Sequence, residues 1–348
     1  MDGYILLSDG TKLEGELAGP ATTAFGWVVA NTAVVGFQEM TTDPAYRGRI
    51  LAFTYPEIGN VGMTGDTSES GRFQVAGLVV KVLSTCRSHY LSQEEFRDAL
   101  EREKVPCLTN VDTRALAVHL RDAGEMAAAI APAQADAKGV AAKLAAMTQP
   151  AFAPPDESPV AAGGSGAKVA VINLGVRCSM LRQLNSCCNP VLVPCGADAR
   201  GVLAGKPVGV IISDGPDGVP PPKETVKTVK ALLGKVPLLG CGLGHTVLGE
   251  ALGCKSSFLK RGHHGVNYPV RNLVDGSLEV TVQRHSVLLD RDSVEKNPDV
   301  EVLWENLNDH TVEGIRSADG SAFGLQIVPA SPTPGVVNAH LQKFVNSR

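Results

Sequence analysis

The sequence lacks several features that would assign it to a class at once. It contains no run of about 18 apolar residues, so no transmembrane helix is predicted. Its formal net charge of −4 gives no reason to expect nucleic acid or an anionic membrane as a partner. The N-terminal segment has no basic flank followed by an apolar stretch, so no signal peptide is expected.

Cysteine pairs with metal-binding spacing are also absent. The eight cysteines are scattered, Cys187 and Cys188 are adjacent, and no CxxC occurs. This usage is typical of free thiols in a reducing compartment and predicts a cytoplasmic protein. Neither a zinc site nor any other metal or cofactor is predicted.

What is present is enough chain for two domains with substantial cores. The 348 residues are 44% hydrophobic and 20% charged, which is ordinary for a globular protein. Residues 147–167 are rich in Pro, Ala, Gly and Ser and show no apolar period. Such a segment predicts a linker, which divides the chain into domains at 1–146 and 168–348.

The first half is rich in predicted strands. The segment YILLSDGTKLEGEL has the pattern of a hairpin with an Asp-Gly turn. Two helices follow later in this half. Ser92 with Glu95 forms a capping-box pattern for one, and Asp112 is placed to cap a second helix that ends at Gly124.

The second half alternates between strands and helices. Continuous apolar runs occur at 168–174, 190–194, 208–213 and 236–241, which favours strands buried on both faces of a parallel sheet. Further runs at 278–285, 300–307 and 322–329 extend it. The pattern predicts an α/β doubly wound domain, in which ligands bind at the carboxyl ends of the strands.

The most informative segment is a strand that leads through a glycine cluster into a helix. Residues 240–244, here called the elbow, read GCGLG, the frame of a turn that presents a nucleophile at its tip. The helix N-terminus behind such a turn helps to stabilise a thiolate or an oxyanion. The tip residue of this elbow is Gly242, which has no side chain.

Several blocks together resemble one family. GCGLGH and GHHGVNYPV (262–270) resemble the class I glutamine amidotransferase domain of carbamoyl-phosphate synthetase small subunits, and residues 31–62 and 110–124 resemble that subunit's N-terminal domain. The resemblance covers nearly the whole chain. It implies an α/β fold with an N-terminal β/β/α swivelling-type domain and a C-terminal flavodoxin-like doubly wound parallel sheet.

The chain departs from this family where the family carries out its chemistry. The family's glutaminase uses a Cys nucleophile, a His base and a Glu that orients the His. The corresponding positions are Gly242, Val328 and Ala330. None of these side chains can attack an amide or move a proton.

The resemblance also marks positions of the glutamine pocket, and most of them have changed. In the oxyanion-side loop, a glycine of the family corresponds to Asp217, whose charge would repel a developing oxyanion. The pocket positions are Ala45, Gly215, Asp217, Leu243, Thr246, Arg284, Ser286 and Val287.

Other residues have competing interpretations. Cys241 is a candidate for a shifted nucleophile, but neighbours on a strand point to opposite faces, which predicts a buried apolar thiol. His245 matches a family position outside the triad and is interpreted as a packing residue. His263 and His264 are predicted to lie in a loop, and no third metal ligand is evident near them.

We therefore expect a non-catalytic small subunit that supports a large synthetase subunit using free ammonia for pyrimidine and arginine synthesis. An active glutamine-dependent subunit with an unorthodox site and a small-ligand-binding protein are the alternatives. The expected partner is the large subunit, in a heterodimer or higher assembly. The resemblance implies contacts in the first half, with Phe37, Tyr46, Tyr55 and Arg49 as candidate anchors. Phe37 and Tyr55 are equally consistent with core residues.

Overall fold

The structure, a computed structural model, describes residues 1–155, 163–329 and 337–346. The chain divides into two compact units. The first comprises Met1–Gln149 together with Lys260–His264, and the second comprises Pro150–Leu259 and Gly265–Arg348. Part of the predicted linker, residues 156–162, lies outside the described residues.

The first unit is built around a closed barrel. Its strands are β1 (Asp2–Leu7), β2 (Lys12–Ala18), β3 (Ala24–Asn31), β4 (Arg49–Phe53), β5 (Glu57–Ile58), β6 (Gly77–Val79), β7 (Val82–Leu83), β8 (Cys107–Thr109) and β9 (Met126–Pro132). Its helices are α1 (Phe37–Thr42), α2 (Phe96–Glu103), α3 (Thr113–Ala123) and α4 (Ala137–Ala145), with a 3₁₀ turn at Pro44–Tyr46.

The barrel closes in the order β1-β2-β8-β6-β4-β3-β9, while β5 and β7 form a separate pair. The β1–β2 hairpin expected at the Asp-Gly turn is confirmed by antiparallel pairing from Asp2↔Glu16 to Leu6↔Lys12. Alternate residues of the strands, including Ile5, Val28 and Ile50, form one buried apolar cluster. The period of two along each strand therefore produces the barrel core.

The two helix starts predicted in this unit have different outcomes. Asp112 caps α3 as expected, because its side chain accepts a hydrogen bond from the Ala115 N–H at 2.9 Å. The helix also ends at Gly124 as expected. The capping box at Ser92 is wrong: α2 begins only at Phe96, after Glu95, and no side chain caps it.

The predicted surface anchors are mostly core residues. Phe37, Tyr46 and Arg49 are at most 5% exposed, and Tyr55 is half-buried against the same cluster as Phe37. The Arg49 guanidinium lies 3.8 Å from the Glu125 carboxylate. Tyr46 and Arg49 are therefore wrong as contacts for a partner, because the unit uses them for its own packing. Phe37 follows the alternative interpretation as a core residue.

The second unit contains a nine-stranded sheet. Its strands are β10 (Lys168–Asn173), β11 (Asn189–Pro194), β12 (Gly209–Ile212), β13 (Leu238–Cys241), β14 (Ser256–Asn272), β15 (Leu278–Leu289), β16 (Val300–Asn306), β17 (Val312–Ser317) and β18 (Ala322–Leu325). Its helices are α5 (Cys178–Cys187), α6 (Ala199–Leu203), α7 (Lys223–Leu232), α8 (Leu243–Ala251), α9 (Arg291–Glu295) and α10 (Ala339–Asn346).

The sheet has the order β11-β10-β12-β13-β18-β17-β16-β14-β15. The strands from β11 to β18 are parallel, and β18, β17, β16 and β14 then pair antiparallel. Along β10, Val169 and Val171 join one buried cluster while Ala170 and Ile172 join another. A strand covered on both faces explains the continuous apolar runs in the sequence.

The expected fold class is confirmed in both parts of the chain. All seven apolar runs of the second half form strands, whereas β14 and β17 were not predicted as strands. His263 and His264 do not lie in a loop but within the long strand β14. Among the described residues, no helix is long and apolar enough to cross a membrane.

Candidate functional site

The elbow joins β13 to α8 by a sharp turn. Gly242, the residue before α8, has φ 54° and ψ −117°, a backbone conformation that residues with a Cβ rarely adopt. Its N–H donates to the Leu325 carbonyl of the neighbouring strand at 2.8 Å. The strand-to-helix turn predicted from GCGLG is therefore present, with Gly242 at its tip.

The flanking glycines are required by close backbone contacts. A Cβ on Gly240 would lie 2.3 Å from the Gly244 carbonyl oxygen, and one on Gly244 would lie 2.2 Å from that of Ile212. Both distances are far below van der Waals contact. The turn can therefore form only with glycine on each side of its tip.

The tip itself faces a carboxylate. A Cβ on Gly242 would lie 2.1 Å from Oδ1 of Asp214. The sheet register explains this proximity, since Ile212 of β12 pairs with Gly240 of β13. Two residues further along each strand, Asp214 and Gly242 meet at the carboxyl end of the sheet, so the carboxylate occupies the space of a nucleophile's side chain.

Three donors hold the Asp214 carboxylate within the part of the chain that the structure describes. Oδ1 accepts hydrogen bonds from the backbone N–H groups of Gly215 at 2.8 Å and Leu243 at 3.1 Å. Oδ2 accepts one from Nη2 of Arg284 at 3.2 Å. The Leu243 N–H belongs to the first turn of α8, where the helix leaves its donors unsatisfied and favours a negative charge.

Burial dominates the electrostatics of this ion pair. The Arg284 and Asp214 side chains are 7% and 10% exposed. Burial raises the pKa of Asp214, against the opposing effects of the Leu243 hydrogen bond and the Arg177 charge. Burial also lowers the pKa of Arg284 to about 9. Both shifts disfavour the charged forms, so this pair is held by its geometry at a cost in stability.

Most of the predicted pocket positions lie together. One pocket, with about 230 Å³ of space that is partly open to solvent, is lined by Asp214, Gly215, Pro216, Asp217, Gly218, Val219, Leu243, Thr246, Arg284, His285, Val287 and Gln326. Six of the predicted positions are in this lining. Ser286 joins them by donating its hydroxyl to Oδ2 of Asp217 at 2.9 Å.

Asp217 was expected to oppose an oxyanion, but its carboxylate binds Ser286. It accepts from both the N–H and the hydroxyl of that residue. The carboxylate at the elbow tip is that of Asp214, which the sequence interpretation did not single out. The sequence did contain a signal for Asp214. It is an acidic residue two positions after the buried strand β12, which pairs with the elbow strand β13.

The remaining predicted positions are placed as follows. Val328 is 6% exposed and donates its N–H to the Val282 carbonyl at 3.0 Å, so this position offers only an apolar side chain. Ala330 lies outside the described residues. Ala45 is buried in the 3₁₀ turn of the first unit.

The alternative nucleophile is poorly suited to its task. Cys241 is fully buried within an apolar cluster of the second unit, as the alternation along the strand predicted. Burial, with a smaller contribution from the Asp214 charge, raises the pKa of its thiol to about 12. The thiol is therefore protonated at neutral pH, and the reactive thiolate is disfavoured.

His245 is also fully buried, in α8. Burial lowers the pKa of its imidazole to about 4, so the ring is neutral at physiological pH. It packs against the neighbouring strand, because a Cβ on Gly324 would lie 2.7 Å from its Nδ1. These observations support the interpretation of His245 as a packing residue.

Comparison with known proteins agrees with both halves of this architecture. Residues 5–130 match the model of the carbamoyl-phosphate synthase small chain, CPSase domain, and residues 170–333 match that of glutamine amidotransferase class I. A carbamoyl phosphate synthase small chain of Staphylococcus epidermidis is 35% identical over 351 residues, covering 98% of this chain and 94% of the relative. The chain belongs to the carbamoyl phosphate synthase small chain family.

A further family member from Bacillus cereus is 35% identical over 349 residues, covering 99% of this chain and 95% of the relative. Among solved structures, a GMP synthase-type protein of Thermoplasma acidophilum aligns with a TM-score of 0.42 and 16% identity, covering 52% of this chain and 92% of that one. A glutamine amidotransferase of Thermotoga maritima aligns with a TM-score of 0.37 and 17% identity, covering 47% of this chain and 75% of that one.

Proposed function

We propose that this family member is a small chain without glutaminase activity, which supports a carbamoyl-phosphate synthetase large chain that uses free ammonia. The observation that carries the proposal is the elbow tip. Gly242 has no side chain, and the Asp214 carboxylate stands where a nucleophile would be built. Membership of the family and the retained fold support a role beside the large chain, in pyrimidine or arginine synthesis.

The chemistry argues against hydrolysis at this site. Amide hydrolysis through a covalent intermediate requires a nucleophile, a base to activate it and a site for the oxyanion. Gly242 provides no nucleophile and Val328 no base. The Asp214 carboxylate already accepts from the Gly215 and Leu243 N–H groups, which are the donors that an oxyanion at the elbow would need.

A glutaminase assay of the purified full-length chain, alone and with a large chain, tests the proposal. We expect glutamate release at background, since loss of a whole nucleophile–base unit typically lowers turnover about a million-fold. With the large chain present, carbamoyl phosphate should form from ammonia and not from glutamine.

The rival enzymatic hypothesis needs Cys241. Glutamate release that is abolished by Cys241→Ser and retained by Cys254→Ser would contradict the proposal and identify Cys241 as the nucleophile. Cys254 is a suitable control because it is also a buried thiol, 5% exposed, in the second unit.

A further inference from the structure

The elbow retains the donors of an anion site. The N–H groups of Gly215 and Leu243 converge on one point, and the buried Arg284 guanidinium reaches the same carboxylate from another side. Helix α8 has nine residues and begins at this point, so its dipole adds to the positive potential. Such an arrangement binds carboxylates and oxyanions in many proteins.

We propose that the chain fills this anion site with its own Asp214 side chain, and that the filled site excludes carbonyl and carboxylate ligands from the elbow. Asp214 acts as an internal ligand: Oδ1 takes the two backbone donors and Oδ2 takes Arg284. The inference does not depend on any partner of the protein. It assigns Asp214 a positioning role, because its carboxylate satisfies the first turn of α8 and the buried charge of Arg284.

The anion site explains why the chain keeps the buried charges of Asp214 and Arg284 although their burial lowers its stability. A buried ion pair in which burial shifts the pKa of both members against the charged form does not maximise stability. Removing the Asp214 carboxylate would nevertheless take an acceptor away from the Gly215 and Leu243 N–H groups and an ion-pair partner away from Arg284. Gly242 belongs to the same arrangement, since any Cβ at the tip would collide with Oδ1 of Asp214.

Chemical rescue by formate tests the proposal on the full-length chain. Asp214→Ala removes the carboxylate and leaves the three donors around a space of formate size. We expect a clear loss of thermal stability, and we expect formate to raise Tm by roughly 2 to 4 °C at ten times its Kd. Wild-type protein should show no formate-dependent shift beyond that of chloride at equal ionic strength.

Two variants show whether the rescue is specific. In Asp214→Ala/Arg284→Met the guanidinium is lost, so formate affinity should fall about tenfold or more. Asp112→Ala removes the cap of α3 and should show no rescue, because a helix N-terminus without a buried cation is not such a site. Rescue of Asp112→Ala, or a formate shift in the wild type equal to that of Asp214→Ala, would overturn the proposal.

Amide hydrogen exchange provides a test if Asp214→Ala does not fold. In the wild type, the Leu243 N–H should exchange about tenfold or more slowly than that of Glu224, because a hydrogen bond to a charged group protects it. Glu224 lies in the first turn of α7, whose N-cap Pro222 gives no side-chain hydrogen bond. Equal exchange of the two amides would contradict an occupied site.

Discussion

Gly242 combines two separate constraints on one backbone position. Its φ of 54° disfavours any residue with a Cβ, and the Asp214 carboxylate removes the room for one. A catalytic residue placed there would meet both constraints together. The glycine is thus fitted to its present surroundings, and restoring a nucleophile requires a change at Asp214 as well.

A pair of glycine substitutions separates these constraints. Gly234 also has a positive φ, 69°, but nothing lies within 4 Å of a Cβ built on it. We expect Gly234→Ala to cost about 1–2 kcal/mol through backbone strain alone. Gly242→Ala should cost about 1–3 kcal/mol more because of the overlap with Asp214. Urea unfolding of both variants measures the difference, and equal losses would show that Asp214 moves aside freely.

His245 should make stability depend on pH. Its folded-state pKa of about 4 lies below the usual value of 6.5, so the folded state binds fewer protons than the unfolded state between these values. The contribution of His245 to the free energy of unfolding is therefore fully present above about pH 6.5 and is lost as pH falls toward 4. Between pH 7 and pH 5 the loss should be about 2 kcal/mol.

Urea unfolding at pH 7, 6 and 5 checks this expectation against His245→Leu. The variant loses the imidazole, so its stability should fall less over the same range, and the difference between the two slopes isolates His245. Identical slopes for wild type and variant would show that the buried ring becomes protonated without cost.

At the scale of elements, the sequence predicts the parallel part of the second unit well. Strands buried on both faces leave a signal that needs no knowledge of the partner strand. Helix α3 was also predicted at both ends, because Asp112 and Gly124 act through local hydrogen bonding and backbone conformation. Local physical causes are visible in local sequence.

The failures at this scale have non-local causes. The Ser92 pattern is a good local cap, yet α2 begins at Phe96, whose side chain is 1% exposed and packs against Phe37 and Phe73. The glycines around His263 and His264 suggested a loop, but β14, which lies between β16 and β15 in the sheet, runs through them. Tertiary contacts decided the outcome at both places.

The candidate site shows the same limit. The elbow and its tip follow from a short glycine pattern. The pocket positions come from family motifs, and six of them line one pocket. The ion pair between Asp214 and Arg284 was not predicted, since its members are 70 residues apart in sequence. Only the register of β12 against β13 shows that Asp214 faces the tip.

At the scale of the whole molecule, the first unit is completed by a segment from far along the chain. Glu125 accepts hydrogen bonds from the Gly262 N–H at 2.7 Å and from Nε2 of His264 at 3.0 Å. Its own N–H donates to the Lys260 carbonyl at 2.9 Å. A fragment of residues 1–146 would lose these three hydrogen bonds and keep only the Arg49 guanidinium, 3.8 Å away, among the Glu125 contacts described above. Binding studies therefore require the full-length chain.

Binding to a synthetase large chain is the last expectation, and Tyr90 offers a direct test of it. The family resemblance predicts the partner contacts in the first half, and an interface of ordinary size buries about 1,600 Å² with its energy concentrated in a few aromatic and Arg anchors. Tyr90 is 87% exposed in the first unit, unlike the anchors that the sequence predicts. We expect full-length protein to capture the large chain in a pull-down, and Tyr90→Ala to weaken binding about tenfold or more in calorimetry.

Val280→Ala, at a side chain 71% exposed in the second unit, should leave the affinity unchanged. If the two substitutions weaken binding equally, the contacts with the large chain are not concentrated in the first half. Failure of the wild type to bind any large chain encoded beside it would reject the proposed supporting role and favour a protein that binds a small ligand.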